Sequence, residues 1–309
     1  MSIDRADLVL AALIVEAVLG YPRALFAAIG HPVTWIGAPI ARLDMAWNRG
    51  SAIRRRLWGI VLLLLLVSGA VVIGVAIASL AATLWGALAV VSIATTGLAQ
   101  RSLDDHVRAV NVPLGSGDLP AARQAVGRIV GRDTAALDEA GIATAAIESL
   151  AESFCDGVVA PIFWFALAGI PGLIACKAIN TADSMVGHRD ARHRDFGWAS
   201  ARADDVVNFI PARIAGVLIC IAGAGGLRTM WRDSAAHASP NGGWPEAAMA
   251  GVLRRQLGGP VSYAGEAAAR AVLGAGPLPG VADLSRALWV YRRACLALWV
   301  VLGVIAWRL

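Results

Sequence analysis

The sequence predicts an all-α integral membrane protein with about four to five transmembrane or re-entrant helices, its polar helical segments and loops lying at the cytoplasmic face. Three observations carry that prediction. Of 309 residues, 58% are hydrophobic and only 16% charged, and the mean hydropathy is +0.64, far more apolar than a soluble domain. Apolar segments recur from end to end, at 8–19, 57–78, 82–99, 158–178, 209–227 and 287–307. The polar residues gather in two blocks between them, a helical region over 100–157 and a loop region over 228–286, so no half of the chain separates as a water-soluble unit and residues 1–309 read as a single membrane-embedded domain.

Taken in order, MSIDRADLVLAALIVEAVLGYP lacks a basic stretch before its apolar run and a small-residue cleavage site after it, and is read as a retained segment. Its run Leu8 to Leu19 is short and carries Glu16, which suits an interfacial helix or a weak span. Leu57 to Ala99 holds no charged side chain and is about twice the ~20 residues a crossing needs. A helical hairpin turning near Ser79 to Leu84 follows. Arg54, Arg55 and Arg56 precede this hairpin and Arg101 and Arg108 follow it, placing both flanks in the cytoplasm by the positive-inside rule. In the polar block, Asp118 is a cap for a helix beginning at Leu119 with Pro120 in its first turn and Gly131 at its end, and a second helix runs from about Thr134 to Ser153. The runs at 158–178 and 209–227 are interrupted by Pro161, Pro171, Pro211 and Arg213, and broken backbone at membrane depth is tolerated where protein or a water-filled cavity satisfies it. From Met230 to Gly280 the chain reads as irregular loop with a short helix around Glu246 to Leu257.

Composition also excludes. The net charge of +5 is what loops facing an anionic leaflet carry, and implies no nucleic-acid partner. Cys155, Cys176, Cys220 and Cys295 form no CxxC pair. His31 and His106 lack metal-ligand spacing, and neither GxxxxGK[ST] nor a strand-borne GxGxxG is present.

What remains is a set of acids, amides and arginines beside apolar runs. Glu148, Glu152 and Asp156 fall at i, i+4 and i+8, one acidic stripe if the helix persists: either a solvated face or a stripe held for a cation, an amine or proton transfer. Asn180 and Asp183 occur in one short motif and Asp204, Asp205 and Asn208 in another; oxygen ligands of this kind suit Mg²⁺, although Asp204 alone also reads as a helix cap. Arg101, Arg132, Arg202 and Arg213 lie beside these acids, and Arg grips phosphate and carboxylate with two parallel hydrogen bonds or anchors in lipid headgroups.

Together, HPVTWIG, RSLDDH, GRDT, AAIESLAESFCDGVVAPIFW, KAINTADSMVGH, ADDVVNFIPAR and SPNGGWPEAAMAG resemble the motifs of the CobD/CbiB family, the adenosylcobinamide-phosphate synthases of cobalamin biosynthesis, in the same order and at matching spacing. Ser153 departs from the Asn of the family's string, which puts a direct ligand role there in doubt. The resemblance implies an acid–amine ligase of the inner membrane, multi-pass, with its site toward the cytoplasm. Its reaction joins a propionate of adenosylcobyric acid to (R)-1-aminopropan-2-ol or its O-phosphate, with ATP as cosubstrate and Mg²⁺ as cofactor. Partners are then the corrinoid, the amine, membrane lipid, and either a second copy of the chain or other enzymes of the same pathway. The resemblance marks positions, and chemistry suggests their parts: Glu148, Glu152 and Asp156 for amine binding and proton removal, Asp183, Asp204 and Asp205 for Mg²⁺, and Arg101, His106, Arg132, Asp133, Asn180, Arg202, Asn208, Arg213 and Asn241 for substrate. Two rivals stand beside it: a membrane prenyltransferase holding Mg²⁺-diphosphate between Asp motifs, and a non-catalytic regulator similar to the AmpE proteins, in which the charged groups are structural pairs.

Overall fold

In the computed structural model, which describes residues 5–188, 190–263 and 265–308, the chain is helical almost throughout. Residues 1–4 of the N-terminal segment lie outside the described residues. The helices run α1 (Arg5–Leu19), α2 (Arg23–Ile29), α3 (Pro32–Trp47), α4 (Ala52–Ala78), α5 (Leu84–Thr95), α6 (Gln100–Gly115) and α7 (Leu119–Val126). After these come α8 (Glu139–Phe154), a π-helical turn at Cys155–Val159, α9 (Ala160–Val186), α10 (Trp198–Val207), α11 (Phe209–Ala222), α12 (Leu227–Asp233), α13 (Gly243–Leu253) and α14 (Val281–Arg308). Between the last two lie β1 (Leu257–Gly258) with β4 (Val272–Leu273), and β2 (Val261–Tyr263) with β3 (Glu266–Ala268), two small antiparallel pairs.

Among the described residues three helices are long and apolar enough to cross a membrane, Ala52–Ala82, Glu139–Val186 and Val281–Arg308, or four if α10 and α11 form one bent span. Side-chain exposure agrees. Leu64, Leu65, Val72 and Val75 of α4 and Leu296, Val300, Val304 and Ile305 of α14 are all exposed, a surface that only lipid solvates without penalty. The hairpin turn falls where expected, as a 3-10 turn over Ser79–Ala82. Its second limb, α5, has 12 residues, too few to span alone.

The chain groups into two compact units, each interleaved in sequence: residues 1–99, 160–208 and 302–309 form the first, and residues 100–159 and 209–301 the second. In the first, Ile40 of α3, Leu62 of α4, Ala182 and Val186 of α9, and Phe196 pack into a core. Helix α9 breaks at Gly169, whose φ of 68° lies in the left-handed region that glycine enters without steric cost, two residues before Pro171 removes an amide donor. Carbonyls freed there find Arg5 of α1, whose guanidinium donates to Leu167 O at 2.8 Å. The interruption anticipated from Pro171 is thus a kink inside one helix.

In the second unit α8 is buried along most of its length, Ile142, Ala146 and Leu150 included, and packs against α6, whose Val107 and Val110 are also buried. Tyr291 of α14 donates to Gln100 O at 2.7 Å. Asp118 caps α7 as expected, accepting from Ala121 N at 3.0 Å with Pro120 in the first turn.

Several boundaries differ from the sequence reading. Helix α7 ends at Val126 rather than at Gly131, because Gly127 to Ile129 tighten into turn hydrogen bonds. Helix α8 begins at Glu139 rather than near Thr134, because Asp138 takes the cap position and accepts from Gly141 N. The loop region 228–286 contains α12, α13 and the two strand pairs, and its short helix starts earlier and stops at Leu253, where Arg254 turns left-handed with a φ of 56°. Pro211 sits in the first turn of α11, where its missing donor costs nothing.

Candidate functional site

Helix α8 points Glu148 into the second unit, where it is 2% exposed. One carboxylate oxygen accepts from Arg132, carried on the loop after α7, and from Arg270 Nη1 at 3.0 Å. The other accepts from the backbone N–H of Gly258 at 2.5 Å. Two guanidiniums and an amide thus converge on one buried carboxylate, which satisfies its lone pairs and offsets its desolvation.

Arg270 continues the network. Its Nη2 lies 3.0 Å from His237 Nε2 and 3.3 Å from Glu246 Oε1, and His237 Nε2 is 3.5 Å from the same oxygen. Glu246, in the first turn of α13, is fully buried, and its Oε2 has no hydrogen-bond partner. Burial first, then the neighbouring charges of Glu152 and Glu148, raise its pKa well above the ordinary carboxylate value and so favour its protonated form. Burial, helped by the Arg270 charge and opposed by Glu152, lowers the pKa of His237 and keeps the imidazole neutral. The cluster therefore balances Arg132 and Arg270 against Glu148 and Glu152. Gly242 closes it: a Cβ there would lie 2.9 Å from the His237 ring and 3.3 Å from Glu152 Oε1, so the backbone itself is a wall of the site.

The acidic stripe holds for Glu148 and Glu152, one buried and one exposed. Asp156 falls in the π-helical turn, whose wider pitch breaks the i+4 phase; the three acids do not form one continuous α-helical stripe.

The first unit carries a separate group. Asn208, 2% exposed, donates from Nδ2 to Asp204 Oδ2 at 2.9 Å, and Asn180 of α9 reaches Asp204 Oδ1 at 3.5 Å. Asp205, the next residue of α10, pairs with exposed Arg202 at 3.5 Å. Asp183 lies on α9 close against the backbone of Gly187.

Other sequence-selected residues have local duties. Exposed Arg101 pairs with Asp105 at 3.8 Å along α6, and His106 Nδ1 sits 2.6 Å from Ser102 O. Asp133 latches the β2–β3 hairpin, accepting from Ser262 Oγ at 2.7 Å and Gly265 N at 2.8 Å. Arg213 donates to Asn241 Oδ1 at 2.9 Å and lies over the rings of Phe209 and Trp244.

The chain matches the family model described as CobD/Cbib protein over residues 9–291. This chain belongs to the CobD/CbiB family. Among curated proteins it is similar to a Cobalamin biosynthesis protein CobD of Rhodobacter capsulatus, 50% identical with 97% of each chain covered. Proteins of the same name from Sinorhizobium fredii and Rhizobium meliloti are each 43% identical, over 96% of this chain and 96% and 95% of theirs. No solved structure matches. All the residues of both groups lie inside the matched span, including His237, Glu246 and Arg270, which sequence reasoning missed. Glu246 lies within the SPNGGWPEAAMAG string that carries part of the CobD/CbiB resemblance and His237 stands two residues before it, and that string was the available signal.

Mg²⁺, which the CobD/CbiB resemblance implies, meets a fitting donor set in the first unit. The Asn208 Oδ1 is buried with no hydrogen-bond partner, an acceptor that a hard cation beside Asp204 would satisfy. Among the described residues no three His, Cys, Asp or Glu side chains cluster as a metal cage; Mg²⁺ shared with substrate phosphates asks for only one or two carboxylates.

Proposed function

We propose that this chain acts in cobalamin biosynthesis as the ligase that joins aminopropanol, free or O-phosphorylated, to a propionate of adenosylcobyric acid at the expense of ATP. The observation that carries the reading is the buried cluster of Glu148, Arg132, Arg270, His237 and Glu246 with Glu152 at its exposed edge, taken with the relatives' printed name.

A carboxylate and an amine do not condense at neutral pH, so the propionate is first phosphorylated by ATP, releasing ADP. The amine then attacks the acyl carbon, phosphate leaves, and the ammonium proton passes to a base. Glu148 is a poor base, because Arg132, Arg270 and Gly258 N–H already occupy its oxygens; its part is to hold the two guanidiniums in place. Glu152 is the better one, since it is exposed and stands against the same cluster. Protonated Glu246 and neutral His237 keep the interior free of a further charge while offering hydrogen bonds to a polar substrate. Mg²⁺ held at Asp204 and Asn208 would neutralise phosphate charge when bound. The membrane helices tether the enzyme at the inner membrane, with the site toward the cytoplasm.

The test is incubation of the detergent-purified protein with adenosylcobyric acid, ATP, Mg²⁺ and either amine, followed by mass spectrometry of the corrinoid. Product with one amine names the substrate. A folded sample that binds neither corrinoid nor nucleotide would overturn the proposal.

A further inference from the structure

The chain contains one lysine, Lys177. It stands on α9 in an apolar run, where a charge is costly unless something uses it. Among the described residues its ammonium has no carboxylate partner and makes no ion pair or side-chain hydrogen bond, although Arg132, Arg192, Arg255 and Arg292 are each paired with an acid. Lys177 lines a cavity of 480 Å³ between α3 and α9, in the first unit.

The rest of that cavity is chemically specific. Asn180 and Ser184 follow Lys177 at i+3 and i+7, so the three share one face of α9, and all three line the cavity. Asn180 has one amide hydrogen directed at Asp204 and a second available. The opposite wall is α3, with Thr34 at its first turn and the small residues Gly37 and Ala38 beyond. Thr34 Oγ1 already donates to His31 O at 2.6 Å, so it meets a ligand as an acceptor. A half-buried ammonium with an amide and a hydroxyl on the same helix face makes a cradle of donors in which the cation is a point charge. That pattern suits a tetrahedral phosphate oxyanion; a carboxylate is better served by the planar fork of Arg.

We propose that the α3–α9 cavity is a phosphate-binding site, with Lys177 as its cation and Asn180 and Ser184 as neutral donors. Its volume accommodates a small phosphate monoester or the phosphate chain of a nucleotide. Asn180 couples this site to the acceptor group at Asp204 and Asn208. Resting on the ligase reading above, the phosphate belongs to the phosphorylated amine or to ATP; apart from that reading, an anionic lipid headgroup offers the same chemistry.

Lys177 being the only lysine makes the test direct. The full chain, in phospholipid-free detergent, is treated with a limiting amine-acylating reagent, and modification of Lys177 is followed by mass spectrometry against that of the α-amine. Orthophosphate, ethanolamine phosphate, ATP without metal, and short-chain phosphatidylglycerol are each titrated, with chloride and acetate as ionic-strength and carboxylate controls. The expected result is protection of Lys177 that grows as 1 + [L]/Kd, about tenfold near nine times the Kd, for one or more of the phosphates. Protection by the soluble phosphates assigns the site to substrate or nucleotide; protection by the lipid alone assigns it to a headgroup. Equal protection by acetate, or none by any phosphate, overturns the proposal. As an independent reading, the protein should broaden the ³¹P resonance of the protecting phosphate, and Lys177→Gln should abolish the broadening where Lys177→Arg retains it, thermal unfolding being unchanged in both. Neither measurement requires turnover, so failure of the ligase assay leaves the phosphate site standing and failure here leaves the ligase assay interpretable.

Discussion

Replacing Glu148 with alanine would leave Arg132 and Arg270 facing one another without the carboxylate that both donate to. The Arg132 side chain is 9% exposed and that of Arg270 20% exposed, so neither can fully rehydrate in place. Breaking a buried pair from one side costs about 3–5 kcal/mol. The second guanidinium pushes toward the upper figure and its partial exposure back toward the lower, while the lost Gly258 N–H bond adds about 1 kcal/mol. A destabilisation of about 4–5 kcal/mol follows, measured by denaturant titration in detergent with tryptophan fluorescence. Glu148→Gln, which keeps the shape and the acceptor for Gly258 but loses the charge, should cost about half as much. Glu148→Ala combined with Arg270→Met should cost less than the sum of the two single changes, because the second removes one of the orphaned charges. If Glu148→Ala unfolds within 1 kcal/mol of the parent, a threshold of about one neutral hydrogen bond, the cluster is not held by this carboxylate and the reasoning fails.

Glu246 has a raised folded-state pKa, so its contribution to stability is complete below the ordinary carboxylate range and declines as pH rises through the folded value; Glu246→Gln should flatten that decline and make the variant relatively more stable in alkali than in acid, read from unfolding midpoints across pH. Gly242→Ala places a methyl group against His237 and Glu152 and should cost about 1–3 kcal/mol and reduce turnover, measured together on one sample. Asp204→Asn, which keeps hydrogen bonding to Asn208 but removes a hard anionic ligand, should weaken the apparent Mg²⁺ affinity in the ligase assay at least tenfold; unchanged Mg²⁺ dependence would remove Asp204 from the metal proposal.

Local chemistry was readable from the sequence and long-range chemistry was not. The Asp118–Pro120 cap and the Ser79–Leu84 turn depend on a few neighbouring residues, and both stand where the string places them. Gly131 misled because Gly127, four residues earlier, already sits at the end of α7. Glu148 and Arg132 were each identifiable, yet nothing near either announces Arg270, which reaches Glu148 across 122 residues from a stretch that reads as plain loop. Glu246 enters the sequence reading only as the approximate start of a short helix, because its burial is decided by packing that no local pattern encodes. The π-helical turn was likewise invisible: Gly157 in CDGVV weakens a helix without naming a π-turn, and one extra residue in a helical turn leaves no compositional mark.

The interleaving of the two units also sets a schedule. Synthesis proceeds at about 5–20 residues per second, so Arg270, 122 residues after Glu148, emerges about 6–24 s later. Until then Arg132 is the only one of the two arginines bonded to Glu148 that the nascent chain contains, and neither unit can be completed from a contiguous stretch of nascent chain, since the first ends with residues 302–309 and the second with residues 209–301. The buried cluster is therefore a late event in the life of each molecule, and a chain truncated before Arg270 would reach the membrane with its charge network open and without α14, the last of its three long apolar helices.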